Sequence, residues 1–213
     1  IYSGLNLSFD SGRIIALLGK NGSGKSTLID CILGNNDYSG VVKVFGKNVK
    51  DYSAKEVAKE IAFIPQSTQI NVDYSVRDFI SFGRNPHVKV VGLLEETDHG
   101  LVETYAEKCG IFDILDKDIN KISGGERQLA YIARSLAQES KIIIMDEPTA
   151  SLDFGNQQRL FQTIDELAKE GKTIIFTTHN PNHLIHLGCN IYAVLHGGII
   201  KIDELANGIL SEI

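Results

Sequence analysis

"LLGKNGSGKST" occupies residues 17–27, and its reading decides the fold. It fits the spacing Gly, four residues, Gly, Lys, Ser/Thr through Gly19, Gly24, Lys25 and Ser26. The run "RIIALLG" before it is continuously apolar, as in a buried strand. "KSTLIDCILG" after it has helical spacing and ends at Gly34, placed as a C-cap. A glycine-rich loop between a strand and a helix is the context in which this spacing has a mechanism. Glycines let successive N–H groups curl around a β-phosphate, and the helix N-terminus adds positive potential. The candidate phosphate-binding set is Gly19, Asn21, Gly22, Ser23, Gly24, Lys25, Ser26 and Thr27. Lys25 is expected to reach the β- and γ-phosphates, and the Ser26 hydroxyl to hold Mg²⁺. A dinucleotide fingerprint does not fit, because Thr27 stands where a third Gly or Ala is wanted and Lys25 and Ser26 have no role there.

Upstream of the loop, "GLNLSF" (residues 4–9) alternates apolar and polar residues and meets the turn "DSG", which predicts a hairpin-like start leading into the buried strand. Downstream, "GVVKVFGKNV" reads as two short strands around Gly46. "SAKEVAKEIAFIPQ" reads as an N-capped helix running into a strand that stops at Pro65. From about residue 67 to 139 the texture is helical, in "SVRDFISFGR", "GLVETYAEKCGIFDIL" and "GERQLAYIARSLAQES". Strand texture returns with "KIIIMDEP". A helix follows in "GNQQRLFQTIDELAKEG", then a buried strand in "KTIIFTTH" and a strand pair in "NIYAVLHGGIIKI", turning at Gly197 and Gly198. Continuous apolar strands alternating with helices indicate a mainly parallel sheet covered on both faces. The expected fold is α/β: a P-loop NTPase core with a mainly parallel sheet flanked by helices, a small antiparallel β subdomain and a helical subdomain. Residues 1–213 read as a single domain, with 1–66 and 140–213 as catalytic core and 67–139 as helical subdomain.

"IIIMDEP" places Asp146 and Glu147 at the end of a hydrophobic strand, and open parallel sheets bind ligands beyond the carboxyl ends of their strands. Two adjacent carboxylates there can divide the work, with Asp146 holding the Mg²⁺ shell and Glu147 facing the attacking water as base. Gln66 follows the strand "FIP" and is a candidate contact for Mg²⁺ or water. His179 ends the strand "IIFTT" and is a candidate contact for a γ-phosphate. Pro181 is placed to open a helix on which His183 and His186 share a face at i, i+3. His179 lies before that helix, and no Cys or Asp nearby finishes a tetrahedral metal site. "EETDH" (residues 95–99) reads as a solvated loop.

Composition sets outer limits. The net charge of -6 argues against a nucleic-acid binder, which carries a basic face. Cys31, Cys109 and Cys189 are far apart, show no metal-ligand spacing and read as small hydrophobes in a reducing setting. No apolar run approaches the roughly 18–20 residues of a membrane span. The chain begins at Ile1 inside an expected strand, so trimmed ends are expected.

The ordered set of phosphate loop, Gln66, "ISGGE", "MDEP", "SLD" and His179 resembles the nucleotide-binding ATPase domain of ABC transporters, over essentially the whole chain. The resemblance implies binding and hydrolysis of ATP with Mg²⁺, and a homodimer in which each nucleotide is sandwiched between two chains. It implies that the "ISGGE" loop is the signature motif. Ser123, Gly124, Gly125 and Glu126 would then serve the γ-phosphate held by the partner, and Asp153 would cross the interface. It further implies transmembrane permease subunits as partners, reached through grooves near Gln66, with a substrate-binding protein engaged indirectly. The chain would sit on the cytoplasmic face of the membrane as a peripheral subunit. "SVRDFISFGRNPH", "GERQLAYIARSLAQ", "PTASLDFGNQ" and "TTHNPNH" are similar to importers of iron–siderophore, haem and cobalamin, with molybdate and tungstate relatives. Alternatives within reach of the same motifs are an exporter ATPase and a soluble ABC-type ATPase acting on DNA or ribosomes. Three positions depart from the family pattern: Ile122 for Leu, Glu126 for Gln and Lys20 for a common Pro. The aromatic residue that stacks on adenine is expected upstream of Ile1, with Tyr2 in a strand position instead.

Overall fold

Ile14–Leu18 form strand β1, and all five residues are buried. Successive side chains of a strand point to opposite faces. Ile14, Ala16 and Leu18 accordingly enter one apolar cluster, while Ile15 and Leu17 enter another on the opposite face. A strand buried on both sides belongs inside a sheet covered by two layers. The computed structural model describes residues 2–66, 73–88, 95–185, 187–195 and 197–202. Gln66 and His183 fall within them; His186 and His196 lie outside.

The other strands are β2 (Lys43–Val44), β3 (Lys47–Asn48), β4 (Ile61–Ile64), β5 (Ile142–Met145), β6 (Thr173–Thr178), β7 (Asn190–Leu195) and β8 (Gly198–Ile202). The main sheet has the order β4-β5-β6-β1-β7-β8. Its first five strands run parallel, and only β8 pairs antiparallel, with β7. β2 and β3 form a separate antiparallel pair turning at Phe45 and Gly46. The mainly parallel sheet and the small antiparallel pair are therefore present as expected.

The helices are α1 (Lys25–Leu33), α2 (Ala54–Glu60), α3 (Val76–Ser81), α4 (Glu96–Lys108), α5 (Gly124–Ala137) and α6 (Phe154–Lys169). α1 ends in Gly34 with φ 77°, in the left-handed region, where its N–H reaches the last-turn carbonyls. α2 opens with a complete capping box between Ser53 and Glu56. α3, α4 and α5 pack on one another. At Gly83 an added Cβ would overlap the Arg134 carbonyl oxygen, so only glycine lets the turn after α3 lie against α5. Arg84, next to it, is buried. Its Nε donates to Asp98 at 2.7 Å, and its Nη1 donates to Ala137 O at 2.6 Å and Glu139 at 2.7 Å. Gln138, just past α5, donates to the carbonyls of Ala58 and Ile61 and ties that end of the helix to α2 and β4.

Four expectations need correction. Residues 4–9 do not form a strand: no described residue supplies a ladder partner, and Leu7 and Phe9 use their alternation only to pack on the sheet face. Tyr2 is not in a strand either. "EETDH" is not a solvated loop but the start of α4, because Glu95 and Asp98 form a reciprocal cap and Asp98 meets the buried Arg84. "GLVETYAEKCGIFDIL" is not helical throughout: Gly110 (φ 69°) follows the end of α4, and only a single 3₁₀ turn comes after it, Phe112–Ile114.

Candidate active site

Parallel pairing in the order β4-β5-β6-β1 puts four carboxyl ends side by side. With neighbouring strands about 4.8 Å apart, those four ends span only about 15 Å. From them continue Gln66 after β4, Asp146 and Glu147 after β5, His179 after β6, and the glycine-rich loop after β1. Gly19 N donates to Thr178 O at 3.1 Å, and Asp146 N to Ile64 O at 2.9 Å, so the ladders extend into the site. Gly19 is also sterically required. A Cβ there would stand 2.6 Å from Val194 O and 2.8 Å from Ser23 Oγ.

A cleft of about 300 Å³ is lined by Asn21, Gly22, Gly24, Lys25, Ser26, Thr27, Gln66 and Glu147. Lys25 is buried, and its Nζ donates to Gly19 O at 2.7 Å and Lys20 O at 3.0 Å, with Glu147 Oε1 at 3.6 Å. The second oxygen of Glu147, Oε2, accepts from His179 Nδ1 at 3.0 Å. Ser26 Oγ donates to Asp146 Oδ2 at 2.7 Å, joining the end of β5 to the first turn of α1. Ser23 Oγ is buried without a partner, a polar atom left over inside the loop. Glu147 has φ 46°, a left-handed backbone unusual for a non-glycine residue.

His183 braces the loop that carries His179. Its Nδ1 meets Thr178 Oγ1 at 2.9 Å and its Nε2 meets Asn180 Nδ2 at 3.2 Å, with the Phe161 ring centroid 5.4 Å away. The Asn180 amide donates, so Nε2 is the acceptor and Nδ1 carries the proton of a neutral ring. Burial, and then the nearby His179, hold its pKa below the ordinary value of 6.5. Pro181 opens only a 3₁₀ turn, Pro181–Leu184.

Ser123–Glu126 and Asp153 do not line the cleft. They sit together instead: a Cβ on Gly125 would lie 3.3 Å from Ser151 O, so the start of α5 touches the loop before α6. Ser123 and Asp153 are N-caps of these two helices, accepting from the N–H groups of Glu126 and Asn156 respectively. The Glu126 carboxylate folds back onto the Ser123 N–H at 2.8 Å. Contacts with the Ser123 hydroxyl and N–H hold its pKa below the ordinary carboxylate value. A larger groove of about 570 Å³ lies between residues 5–11, α1 and the β2–β3 pair, but its lining is mostly apolar, with Ser8, Ser11 and Thr173 as neutral polar residues and, among the described residues, Lys43 as its single charged group. The smaller cleft is the one lined by the glycine-rich loop and Glu147.

A parallel sheet with a Gly-rich strand-to-helix loop, a buried lysine and a strand-end acid pair defines a P-loop nucleotide-binding ATPase domain. A family model described as ABC transporter matches residues 2–150. The iron(3+)-hydroxamate import ATP-binding protein FhuC of Bacillus subtilis is 34% identical over 203 residues, covering 94% of this chain and 76% of its own. The hemin import ATP-binding protein HmuV of Deinococcus radiodurans is 33% identical, covering 100% of this chain and 82% of its own. Among solved structures, a transporter described as of metal-chelate type, in an inward-facing conformation, superposes with a TM-score of 0.82 at 30% identity, covering 94% of this chain and 76% of that one. The chain belongs to the ABC transporter family, as an ATP-binding domain. Among the described residues no helix is long and apolar enough to cross a membrane.

Proposed function

We propose that the chain is the ATP-hydrolysing subunit of an importer for an iron chelate or a related metal–cofactor complex. The observation that carries the ATPase reading is Glu147, held in the phosphate cleft between Lys25 and His179. Arriving β- and γ-phosphates compete for Lys25, whose ammonium is otherwise satisfied by two loop carbonyls and Glu147. Releasing Lys25 to the phosphates leaves Glu147 oriented by His179 and able to take the proton of an attacking water. Ser26 and Asp146 offer hard oxygen donors 2.7 Å apart, and Gln66 adds an amide oxygen at the cleft wall, a donor set suited to Mg²⁺. When bound, that ion neutralises charge on the phosphate oxygens.

The start of α5 and the loop before α6 present Ser123, Gly124, Gly125, Glu126 and Asp153 away from the chain's own cleft lining. In this reading they complete the site of a second copy, and the working unit is a homodimer. Residues 67–139 serve as the helical lobe that carries the signature loop, and 1–66 with 140–213 as the catalytic core. The dimer docks on the cytoplasmic side of transmembrane permease subunits, with a substrate-binding protein delivering cargo to them. Names of relatives support the cargo class, since FhuC and HmuV are import ATP-binding proteins for iron hydroxamate and hemin. The test is co-purification with the membrane subunits and chelate-loaded binding protein, scored by Mg²⁺-dependent phosphate release. Stimulation by an iron chelate, and none by a sugar or peptide, is expected. A complex stimulated only by a cargo without metal or cofactor character overturns the importer assignment.

A further inference from the structure

Thr177 was given no role in the site above, yet it touches both members of the acid pair. The register Met145↔Phe176 of β5 and β6 makes Asp146 and Thr177 the next neighbours along the sheet. Thr177 is wholly buried and shares its strand face with Ile175. Its hydroxyl donates to Asp146 Oδ1 at 2.6 Å and accepts the N–H of Glu147 at 2.8 Å. One hydroxyl therefore uses its donor on the first acid's side chain and an acceptor lone pair on the second acid's backbone.

Two consequences follow from that geometry. Asp146 is gripped at both oxygens, by Thr177 at Oδ1 and by Ser26 at Oδ2. The Thr177 grip comes from the central sheet, and the Ser26 grip from the loop-to-helix junction that meets the nucleotide. With Oδ1 fixed from the sheet side, Oδ2 is left facing Ser26, where it could also reach a cation. Glu147, for its part, has φ 46°, a conformation that persists only when the surroundings over-determine it. Its N–H, bonded to Thr177, is one of those determinants, and the turn so held aims its carboxylate at Lys25 and His179. The rest of β6 shows why the hydroxyl is informative. "TIIFTT" is a wholly buried strand in which Val would match Thr177 in shape but not supply its hydroxyl.

We infer that Thr177 is a positioning residue for ATP hydrolysis, fixing Asp146 and Glu147 together; the inference rests on the ATPase reading above. The test compares wild type, Thr177→Val and Thr177→Ser in the full chain. It records kcat and KM for MgATP, nucleotide affinity with and without Mg²⁺, and the thermal midpoint. Thr177→Val should lower kcat by about tenfold or more. It should leave Mg²⁺-free nucleotide affinity within about threefold and raise the Mg²⁺ needed for half-maximal tightening by about threefold or more. Thr177→Ser should restore both quantities to within about threefold of wild type. Unchanged kcat and Mg²⁺ dependence in Thr177→Val, or a Thr177→Ser variant as impaired as Thr177→Val, overturns the inference. Should Thr177→Val fail to fold, Thr177→Ala takes its place. If neither folds while Thr177→Ser does, the hydroxyl is a requirement of the fold and the positioning role is overturned. A wild-type chain that neither binds nor hydrolyses ATP overturns the ATPase reading itself, a result distinct from any difference among the variants.

Discussion

Replacing Glu147 by Gln isolates charge from shape. The side chain is buried in the cleft, with Lys25 Nζ at 3.6 Å and His179 Nδ1 at 3.0 Å, so an amide of the same volume keeps the packing and removes the carboxylate. Two opposing effects follow. Loss of a general base lowers turnover by about 10²–10⁴, equivalent to about 3–5 kcal/mol on the barrier. Loss of the Glu147–Lys25 attraction removes a gross Coulomb term of about 4–5 kcal/mol at an effective dielectric near 20, most of it offset by the desolvation of the two charges. Lys25 keeps its two carbonyl acceptors, so it is not stranded. An incoming phosphate no longer has to take Lys25 from a carboxylate, so ATP should bind at least as tightly as in wild type. Phosphate release and nucleotide affinity, measured in parallel, should therefore separate: turnover down by at least about 100-fold, dissociation constant equal or lower. With hydrolysis blocked, sedimentation with ATP should show a dimer. Turnover within about threefold of wild type would falsify the base assignment, and a loss of ATP binding would show that the carboxylate serves binding instead.

Ser123→Arg puts a bulky cation at the N-cap of α5 while leaving the cleft residues untouched; ATP-driven dimerisation should disappear with ATP affinity of the monomer within about twofold, and a dimer that persists in sedimentation contradicts the shared-site reading. Arg84→Met removes a buried guanidinium that serves Asp98, Ala137 O and Glu139, and should cost about 3–5 kcal/mol in urea unfolding; a change under about 1 kcal/mol refutes its structural weight. His183 has a folded pKa below 6.5, so the unfolded chain takes up its proton first as pH falls. Its contribution to stability is complete above about pH 6.5 and declines as pH drops toward the folded pKa. The thermal midpoint of wild type should consequently fall more than that of His183→Gln between about pH 7.5 and 5.5, and parallel curves would remove His183 from the account.

Local chemistry was the legible part. The phosphate loop, the caps at Ser53 and Gly34, and the strand-end acids are each encoded within a few residues. Their neighbours in space follow from apolar strands of matching length. What the sequence concealed depends on distant partners. Residues 4–9 alternate like a strand, but a strand needs a ladder partner, and half-burial of Leu7 and Phe9 produces the same alternation without one. "EETDH" looks solvated until Arg84 arrives from 14 positions away and turns Asp98 into the partner of a buried cation. Thr177 is indistinguishable from an ordinary β-former until Asp146, 31 positions earlier, lies next to it. Glu126 reads as a carboxylate exposed to phosphate, whereas its capping bond to Ser123 keeps it occupied within its own helix.

The Ser26–Asp146 hydrogen bond joins groups 120 positions apart, and Glu147 and His179 are separated by another 32. The cleft thus exists only when β1, β5 and β6 are paired. A nascent chain that has not yet delivered residues 140–178 owns the glycine-rich loop but has nothing across from it. Nucleotide bound in that cleft stabilises the folded chain by mass action, by about 2.7 kcal/mol at a concentration 100 times its dissociation constant. A chain with all three strands paired is therefore expected to resist limited proteolysis better with ATP than without it, and equal cleavage rates would contradict this.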